Sequence, residues 1–139
     1  MLIRKIALGT IAILFSAGSG AASLDFNPGL WETTMTRTNP MTGQPTTETT
    51  KECVKEKSFD PRDMIKDADG CQLTDEELSG DTLTFAMTCS MEAGAEAVMK
   101  GEFQTDGKTG HGAMNMNMKL GGMEMSMDMN WTAKRLGDC

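Results

Sequence analysis

The sequence predicts a mainly β fold, an antiparallel meander of about seven or eight strands that forms a small barrel or a strongly curved sheet. Three observations lead to this prediction. Stretches that alternate apolar and polar residues, rich in threonine or methionine, make up most of the chain. Short turn sequences separate them, including Asp106-Gly107 and Gly121-Gly122. Helix signals are confined to one short segment near residues 60–68.

The first residues have the three-part pattern of a secretory signal peptide. Arg4 and Lys5 form a basic start, an apolar run of 10 residues follows from Ile6 to Phe15, and small residues come next. The run is too short to span a bilayer, which needs about 20 residues. We therefore expect residues 1–23 to be cleaved on export. Residues 24–139 would remain as a single disulfide-bonded β domain in the periplasm, with no further membrane insertion.

The chain is acidic, with a formal net charge of −7 at pH 7. Such a chain repels phosphate backbones, so nucleic acid is not an expected partner. No nucleophile motif, phosphate-binding glycine loop or positioned histidine accompanies the acidic residues, and we predict that the protein is not an enzyme. The expected partner is a small ligand or another protein of the cell envelope.

Two strands and a short helix are predicted in the first half of the chain. Leu30–Thr38 alternates and is rich in strand-forming residues, and Thr46–Val54 returns as a polar strand after the turn "NPMTGQP". Asp60 can cap a helix, and Pro61 suits its first position. Gly70 ends this segment, which we interpret as a helix over residues 60–68.

The second half is predicted to be a series of hairpins. Residues 71–78 and 82–90 flank "SGD", residues 95–105 and 108–120 flank the Asp-Gly turn, and residues 123–135 follow the Gly-Gly turn. A two-residue Gly-Gly turn pairs Met116 with Met127. A two-residue Asp-Gly turn pairs Met99 with Met114. Both registers place the methionines on one face and the charged residues on the other, so a slip of one residue would bury charge.

The cysteine count predicts two disulfides. An even number in a small exported domain is typical of a disulfide framework. If Gly80 centres a three-residue loop, Cys71 lies opposite Cys89, which predicts Cys71–Cys89. The second bridge, Cys53–Cys139, follows by elimination. The same register turns Asp75 and Glu77 toward the apolar side unless a bulge intervenes.

The methionines of "MNMNMKLGGMEMSMDMN" support two interpretations. They fall where a half-buried strand needs apolar residues, so they can be core that lines the interior of the barrel and contacts a small apolar ligand. The residues expected to line that interior are Met35, Met87, Met99, Met116, Met118, Met125 and Met127.

The alternative is a soft-metal site. Cu(I) and Ag(I) prefer thioethers to oxygen ligands, and a Met-x-Met strand presents its sulfurs on one face. The candidate ligands are Met114, Met116, Met125, Met127 and Met129, and Cu(I) is the only cofactor that the sequence suggests. A third hypothesis is a structural or interaction module of the envelope that uses the polar strand around Thr46–Lys51 as an exposed edge.

An ordered set of motifs extends along the mature chain. The set comprises "PGLWE" at Pro28–Glu32, single cysteines at Cys53, Cys71 and Cys89, and the ending "RLGDC". In these features the chain resembles the domain of unknown function 3617 family of exported proteobacterial proteins. The resemblance implies export, one β domain and paired cysteines, and it implies no activity.

A second similarity concerns Gly29-x-Trp31 and Arg135. These residues are similar to the Gly-x-Trp and closing arginine of lipocalin-type barrels. The similarity implies that the last strand lies antiparallel to the first and that Arg135 stacks over Trp31.

Overall fold

The computed structural model describes residues 22–139, which form nine strands and two short 3₁₀ helices. The predicted signal peptide, residues 1–23, lies outside the described residues except for its last two positions. The 3₁₀ helices are Pro61–Met64 and Glu92–Gly94. The strands are β1 (Leu24–Asp25), β2 (Gly29–Thr38), β3 (Pro45–Val54), β4 (Ser58–Phe59), β5 (Cys71–Ser79), β6 (Thr82–Ser90), β7 (Glu96–Thr105), β8 (Thr109–Leu120) and β9 (Met123–Gly137).

Seven of these strands form one antiparallel sheet in the order β3-β2-β9-β8-β7-β6-β5. The predicted mainly β, antiparallel fold is confirmed. The last strand, β9, pairs antiparallel with β2, as the lipocalin similarity implies. The sheet ends at β3 and β5 and is not closed into a barrel, so the curved-sheet form of the prediction is the one that applies.

A second, two-stranded sheet was not predicted. Leu24 of β1 pairs with Phe59 of β4, and the two strands form a strap over one face of the large sheet. The Phe59 ring lies 4.5 Å from the ring of Phe103 on that face. Strands of two residues have no periodicity, so the sequence pattern does not show them. We name the face under the strap the inner face; Trp31, Phe103 and Trp131 belong to it.

The predicted helix over residues 60–68 is wrong in type and length. A single 3₁₀ turn, Pro61–Met64, forms in its place. The cap is as expected, because the Arg62 backbone N–H donates to Asp60 Oδ1 at 2.9 Å. Beyond the cap, only Met64 and Ile65 offer apolar contacts, and a short α-helix without a packed face is not stable.

The register of the last hairpin is confirmed, and that of the preceding hairpin is wrong by two residues. Met116 lies opposite Met127, as predicted. Met99 lies opposite Met116 and not opposite Met114. The cause is the Asp106 carboxylate, which accepts backbone hydrogen bonds from Lys108 at 2.9 Å and from the next residue at 2.7 Å and so lengthens the loop. A shift of two keeps every side chain on its predicted face.

The β5–β6 hairpin contains the bulge that the sequence requires. Cys71 lies opposite Cys89, and the register shifts between Leu73 and Asp75. After the shift, Asp75 and Glu77 no longer share the face of the core residues, and Glu76 does, opposite Phe85. Glu76 forms an ion pair with Arg62 of the 3₁₀ turn, and its side chain is 14% exposed.

The core is centred on β6 and not on the methionine hairpin. Leu83, Phe85, Met87 and Cys89 alternate along β6 and are all buried. The methionines of β8 and β9 are half-buried or exposed, so the interpretation of the hairpin as core is wrong. The reason is that the strap covers only part of the inner face of the open sheet.

Two disulfides are present, Cys71–Cys89 and Cys53–Cys139, which are the two pairs expected from the sequence. The first links neighbouring strands within one hairpin. The second links β3 to the C-terminal residue that follows β9, and its cysteines are 86 positions apart. Within residues 22–139 there is no helix with the length and apolar character needed to cross a membrane.

Candidate ligand cleft

An apolar cleft of about 430 Å³ lies between the inner face and the strap. Its walls and floor are built mainly from aromatic rings and thioethers. Six aromatic residues lie within residues 22–139, and five of them line this cleft. The principal lining side chains are Leu24, Phe26, Trp31, Met35, Val54, Phe59, Met64, Phe103, Met114, Met129 and Trp131.

The floor of the cleft is a continuous row of aromatic rings. The Phe103 and Trp131 ring centroids are 4.6 Å apart. On its other side, Phe103 stacks on Phe85 at 5.5 Å with an interplanar angle of 10°. Phe59 of the strap is tilted over Phe103 at 4.5 Å. Aromatic pairs at these separations contribute about 0.5–1.5 kcal/mol beyond their buried area, so the contacts among these rings stabilise the floor.

Two glycines make space for these rings. A Cβ atom at Gly112 would lie 2.5 Å from the Trp131 ring, and one at Gly101 would lie 2.4 Å from Phe85 Cζ. Each ring therefore lies flat across the glycine of a neighbouring strand. A side chain at either position would push the ring away from the sheet and into the cleft or the strap.

One side of the cleft is formed by Phe26 and Trp31. Their rings meet edge to face at 6.1 Å and 84°. Trp31 is only 7% exposed, and its indole N–H donates to the Asn27 carbonyl at 2.8 Å. Because the buried N–H has this partner, the indole presents only carbon to the cleft.

Arg135 closes the end of the sheet next to this side of the cleft. Trp31 and Arg135 are directly paired on β2 and β9. The Arg135 Nε donates to the Pro28 carbonyl at 2.8 Å, and the guanidinium also bonds to Asp138. A Cβ atom on Gly29 would lie 2.6 Å from Arg135 Nε, so Gly29 is needed for the guanidinium to pass. The Gly-x-Trp and arginine motif thus has a physical reason in this chain.

The structure separates the methionines predicted to line a ligand site. Met35 borders the cleft, whereas Met87 is fully buried and does not line it. The remaining five lie on the inner face between the cleft and the Gly-Gly turn, and all of them are half-buried. These five are Met99, Met116, Met118, Met125 and Met127. Of the residues predicted for a metal site, Met114 and Met129 line the cleft.

Sequence reasoning missed the aromatic residues that define the cleft. Phe26, Phe59 and Met64 come from segments that the sequence pattern does not identify as long strands. The sequence offers one signal for such a site. Aromatic residues make up only 5% of the chain, so the positions of the few that are present are informative. Their convergence depends on the strap, which the sequence did not predict.

The outer face of the sheet is polar and carries the charged pairs. The Glu32 carboxylate lies between Lys134 Nζ at 3.1 Å and Lys51 Nζ at 3.4 Å. Hydrogen bonding to Lys134 is the main cause that lowers the Glu32 pKa below its ordinary value of 4.5. Asn115 donates to Asp128 across β8 and β9 at 2.6 Å. Among residues 22–139, no three His, Cys, Asp or Glu side chains come together as a metal site.

A family model described as "Protein of unknown function (DUF3617)" matches residues 26–139. The match includes the whole large sheet, both disulfides and every principal lining residue of the cleft except Leu24. No curated protein and no solved structure matches the chain.

Proposed function

The chain belongs to the DUF3617 family, whose function is unknown, so we propose a function from the cleft itself. We propose that the protein binds a small apolar molecule between the inner face and the strap, without changing it chemically. Most of the side chains that form the cleft are aromatic rings, aliphatic groups and thioethers, and Thr33, Gln104, Thr105 and His111 also border it. The aromatic, aliphatic and thioether groups contact a ligand but do not take up or release protons. The cleft volume of about 430 Å³ lies within the range of small-molecule sites, roughly 300–1,000 Å³.

One observation carries this proposal. A chain with few aromatic residues places five of them around one cleft, where Trp31 is buried and the other four are only half-buried. A small domain gains stability by burying such rings, at about 25 cal/mol for each Å² of apolar surface removed from water. Leaving four of these rings half-buried forgoes part of that gain, and partly exposed apolar patches of this kind are typical of binding sites.

We further propose that the protein acts in the periplasm, after removal of residues 1–23. The two disulfides support this, because such bonds persist in oxidising compartments. An envelope-interaction module that pairs through β3 is supported less well. Every residue of β3 except Val54 is exposed, and charged side chains such as Glu48 and Lys51 on an edge strand oppose pairing with another chain.

The experiment is titration with an apolar fluorescent probe, N-phenyl-1-naphthylamine, followed by probe emission and by quenching of tryptophan fluorescence. Both tryptophans line the cleft, so a bound probe lies close to both. The test variant is Met64→Lys, because Met64 lines the cleft and is 43% exposed. The matched control is Met91→Lys, because Met91 is 42% exposed and does not line the cleft.

We expect Met64→Lys to weaken probe binding at least about tenfold, equivalent to about 1.4 kcal/mol, and Met91→Lys to leave it unchanged. The lysine introduces a charge that an apolar ligand would have to desolvate. Equal effects of the two variants, or no saturable binding by the native protein, would contradict the proposal.

A further inference from the structure

We propose that the protein carries a second site, for the soft monovalent cations Cu(I) and Ag(I), formed by the thioethers of Met99, Met116 and Met127 on the inner face. This site lies beside the cleft and does not rest on the proposed function. It differs from the set expected from the sequence, because the observed register adds Met99 of β7 to the methionines of β8 and β9.

The register places the three methionines in one row across three strands. Met99 lies directly opposite Met116, and Met116 lies directly opposite Met127. Directly opposed residues on one face have their Cβ atoms about 4.5–5.5 Å apart. A methionine side chain is unbranched and rotates about three bonds, so three sulfurs starting from such a row can converge on one ion.

A further pair of thioethers borders the row. Met118 lies opposite Met125, one step closer to the Gly-Gly turn. Residues two apart along a strand share a face and are about 6–7 Å apart, so either sulfur is placed to supply a fourth ligand. The three-methionine row is therefore the centre of the site, and this pair is its supplement.

The row is closed at one end and accessible along its length. Met87 of β6 lies opposite Met99, extends the row by one strand and is fully buried. Met99, Met116 and Met127 are all half-buried, which leaves an ion a path from solvent. A purely structural core would bury these side chains, as β6 buries its own.

The donor set favours a soft monovalent cation over Zn²⁺ or Cu²⁺. Thioethers bind Cu(I), whereas the divalent ions prefer imidazole, thiolate and carboxylate ligands. All four cysteines are in disulfides, so none offers a thiolate. His111 lies opposite Thr132, out of alternation with the methionine row, and borders the cleft instead of the row. The net charge of −7 adds a general attraction for cations.

The first experiment is titration of the protein, labelled with ¹³C at the methionine methyl groups, with Ag(I) under NMR observation. We expect saturation at one equivalent, with the largest shifts at the methyl groups of Met99, Met116 and Met127, assigned from single Met→Leu variants. Met41, which is 86% exposed in a loop, is the internal reference and should not shift. Shifts of equal size at Met41 and at the row would overturn the proposal.

The second experiment compares Cu(I) affinities by competition with a chromogenic chelator. The test variant carries Met99→Leu, Met116→Leu and Met127→Leu, and the control carries Met41→Leu, Met91→Leu and Met123→Leu at exposed positions. Loss of groups that only orient ligands weakens metal sites about 10–100-fold, so loss of the ligands should weaken this one at least tenfold. The control should bind like the native protein.

Leucine preserves the volume and apolar character of methionine, so the triple variant should fold, which circular dichroism will verify. Unchanged Cu(I) affinity in the folded triple variant would overturn the proposal. If the variant does not fold, the Ag(I) shift map of the native protein decides. Because the row lies outside the cleft, the triple variant should still bind N-phenyl-1-naphthylamine, so failure of one proposal is distinct from failure of the other.

Discussion

The two glycines under the aromatic floor provide a quantitative test of the packing. Gly101→Ala and Gly112→Ala each add one methyl group that would lie 2.4–2.5 Å from an aromatic carbon. Carbon atoms in contact are separated by about 3.5–4.0 Å, so either ring must move by about 1 Å or more. The two rings, Phe85 beside Gly101 and Trp131 beside Gly112, differ in the free space into which they can move.

The cost of Gly101→Ala in free energy of unfolding follows from the lack of space around Phe85. Phe85 is 3% exposed and lies against Phe103 and Phe59, so it cannot move without disturbing the floor and the strap. Overpacking of this kind costs about 1–3 kcal/mol. Replacing glycine also gains about 0.4–1 kcal/mol by restricting the unfolded chain. The difference between these two ranges predicts that Gly101→Ala lowers the free energy of unfolding by about 1.3 kcal/mol.

Trp131 is half-buried and borders the open cleft, so its ring can rise into free space. We expect Gly112→Ala to change the free energy of unfolding by less than about 0.5 kcal/mol, because the gain in the unfolded chain offsets the smaller strain. Its effect should be on function instead: the raised ring reduces the cleft volume and weakens binding of the apolar probe.

The assay is urea unfolding followed by circular dichroism, together with tryptophan emission in native buffer. Gly110→Ala is the control, because a Cβ atom there meets its nearest neighbour at 3.3 Å, and we expect a small effect. The reasoning is refuted if Gly112→Ala destabilises the protein as much as Gly101→Ala does, or if Gly101→Ala is neutral.

Three further predictions follow from the bonds at the ends and on the outer face of the sheet. Replacing Cys53 and Cys139 by alanine should lower the free energy of unfolding by about 1.4 kcal/mol more than replacing Cys71 and Cys89, since separations of 86 and 18 residues enter the entropy of loop closure as (3/2)RT ln n. Calorimetry of both variants measures the difference, and the reverse order would contradict the prediction. The pKa of Glu32 is lowered chiefly by the hydrogen bond to Lys134, so its contribution to stability is present above pH 4.5 and is lost as the pH falls through the folded-state pKa. Glu32→Gln should therefore be less stable than the native protein at pH 7, and the difference should shrink as the pH falls below 4.5; a constant difference would exclude this origin. Arg135→Lys should lower the free energy of unfolding by about 1–2 kcal/mol in urea titrations, because lysine cannot supply the fixed fork that bonds to the Pro28 carbonyl and to Asp138; an unchanged midpoint would show that the fork is dispensable.

The alternation of apolar and polar residues was sufficient to predict which side chains share a face of the large sheet. The strands of the last two hairpins keep their predicted faces, even where the Asp106 loop shifts the register by two residues, whereas β5 changes face at its bulge. The reason is that the side-chain period of a strand is two, so an error of two leaves the faces unchanged. The position of Cys71 opposite Cys89 was predictable for the same reason, although the real hairpin uses a tighter turn and a bulge to produce it.

The cleft could not be predicted in this way. It depends on β1 and β4, which are two residues long and are held in place by pairing between segments 35 positions apart, Leu24 and Phe59. Alternation over a few residues contains no information about such a contact. The partner of Met99 was likewise not predictable, because a loop shift of two residues changed which methionine of β8 lies opposite it.

The place of β9 in the sheet has a consequence for the order in which the chain can fold. β9 is the last strand in the sequence, yet it lies between β2 and β8 and pairs with both. Until β9 is available, β2–β3 and β5–β8 are two hairpin units with no shared ladder. Contacts between distant parts of a chain form slowly, because the intervening loop must first be closed. A chain that emerges from its N terminus would therefore hold these two units apart until β9 appears, and only then join them through that strand and link β3 to Cys139.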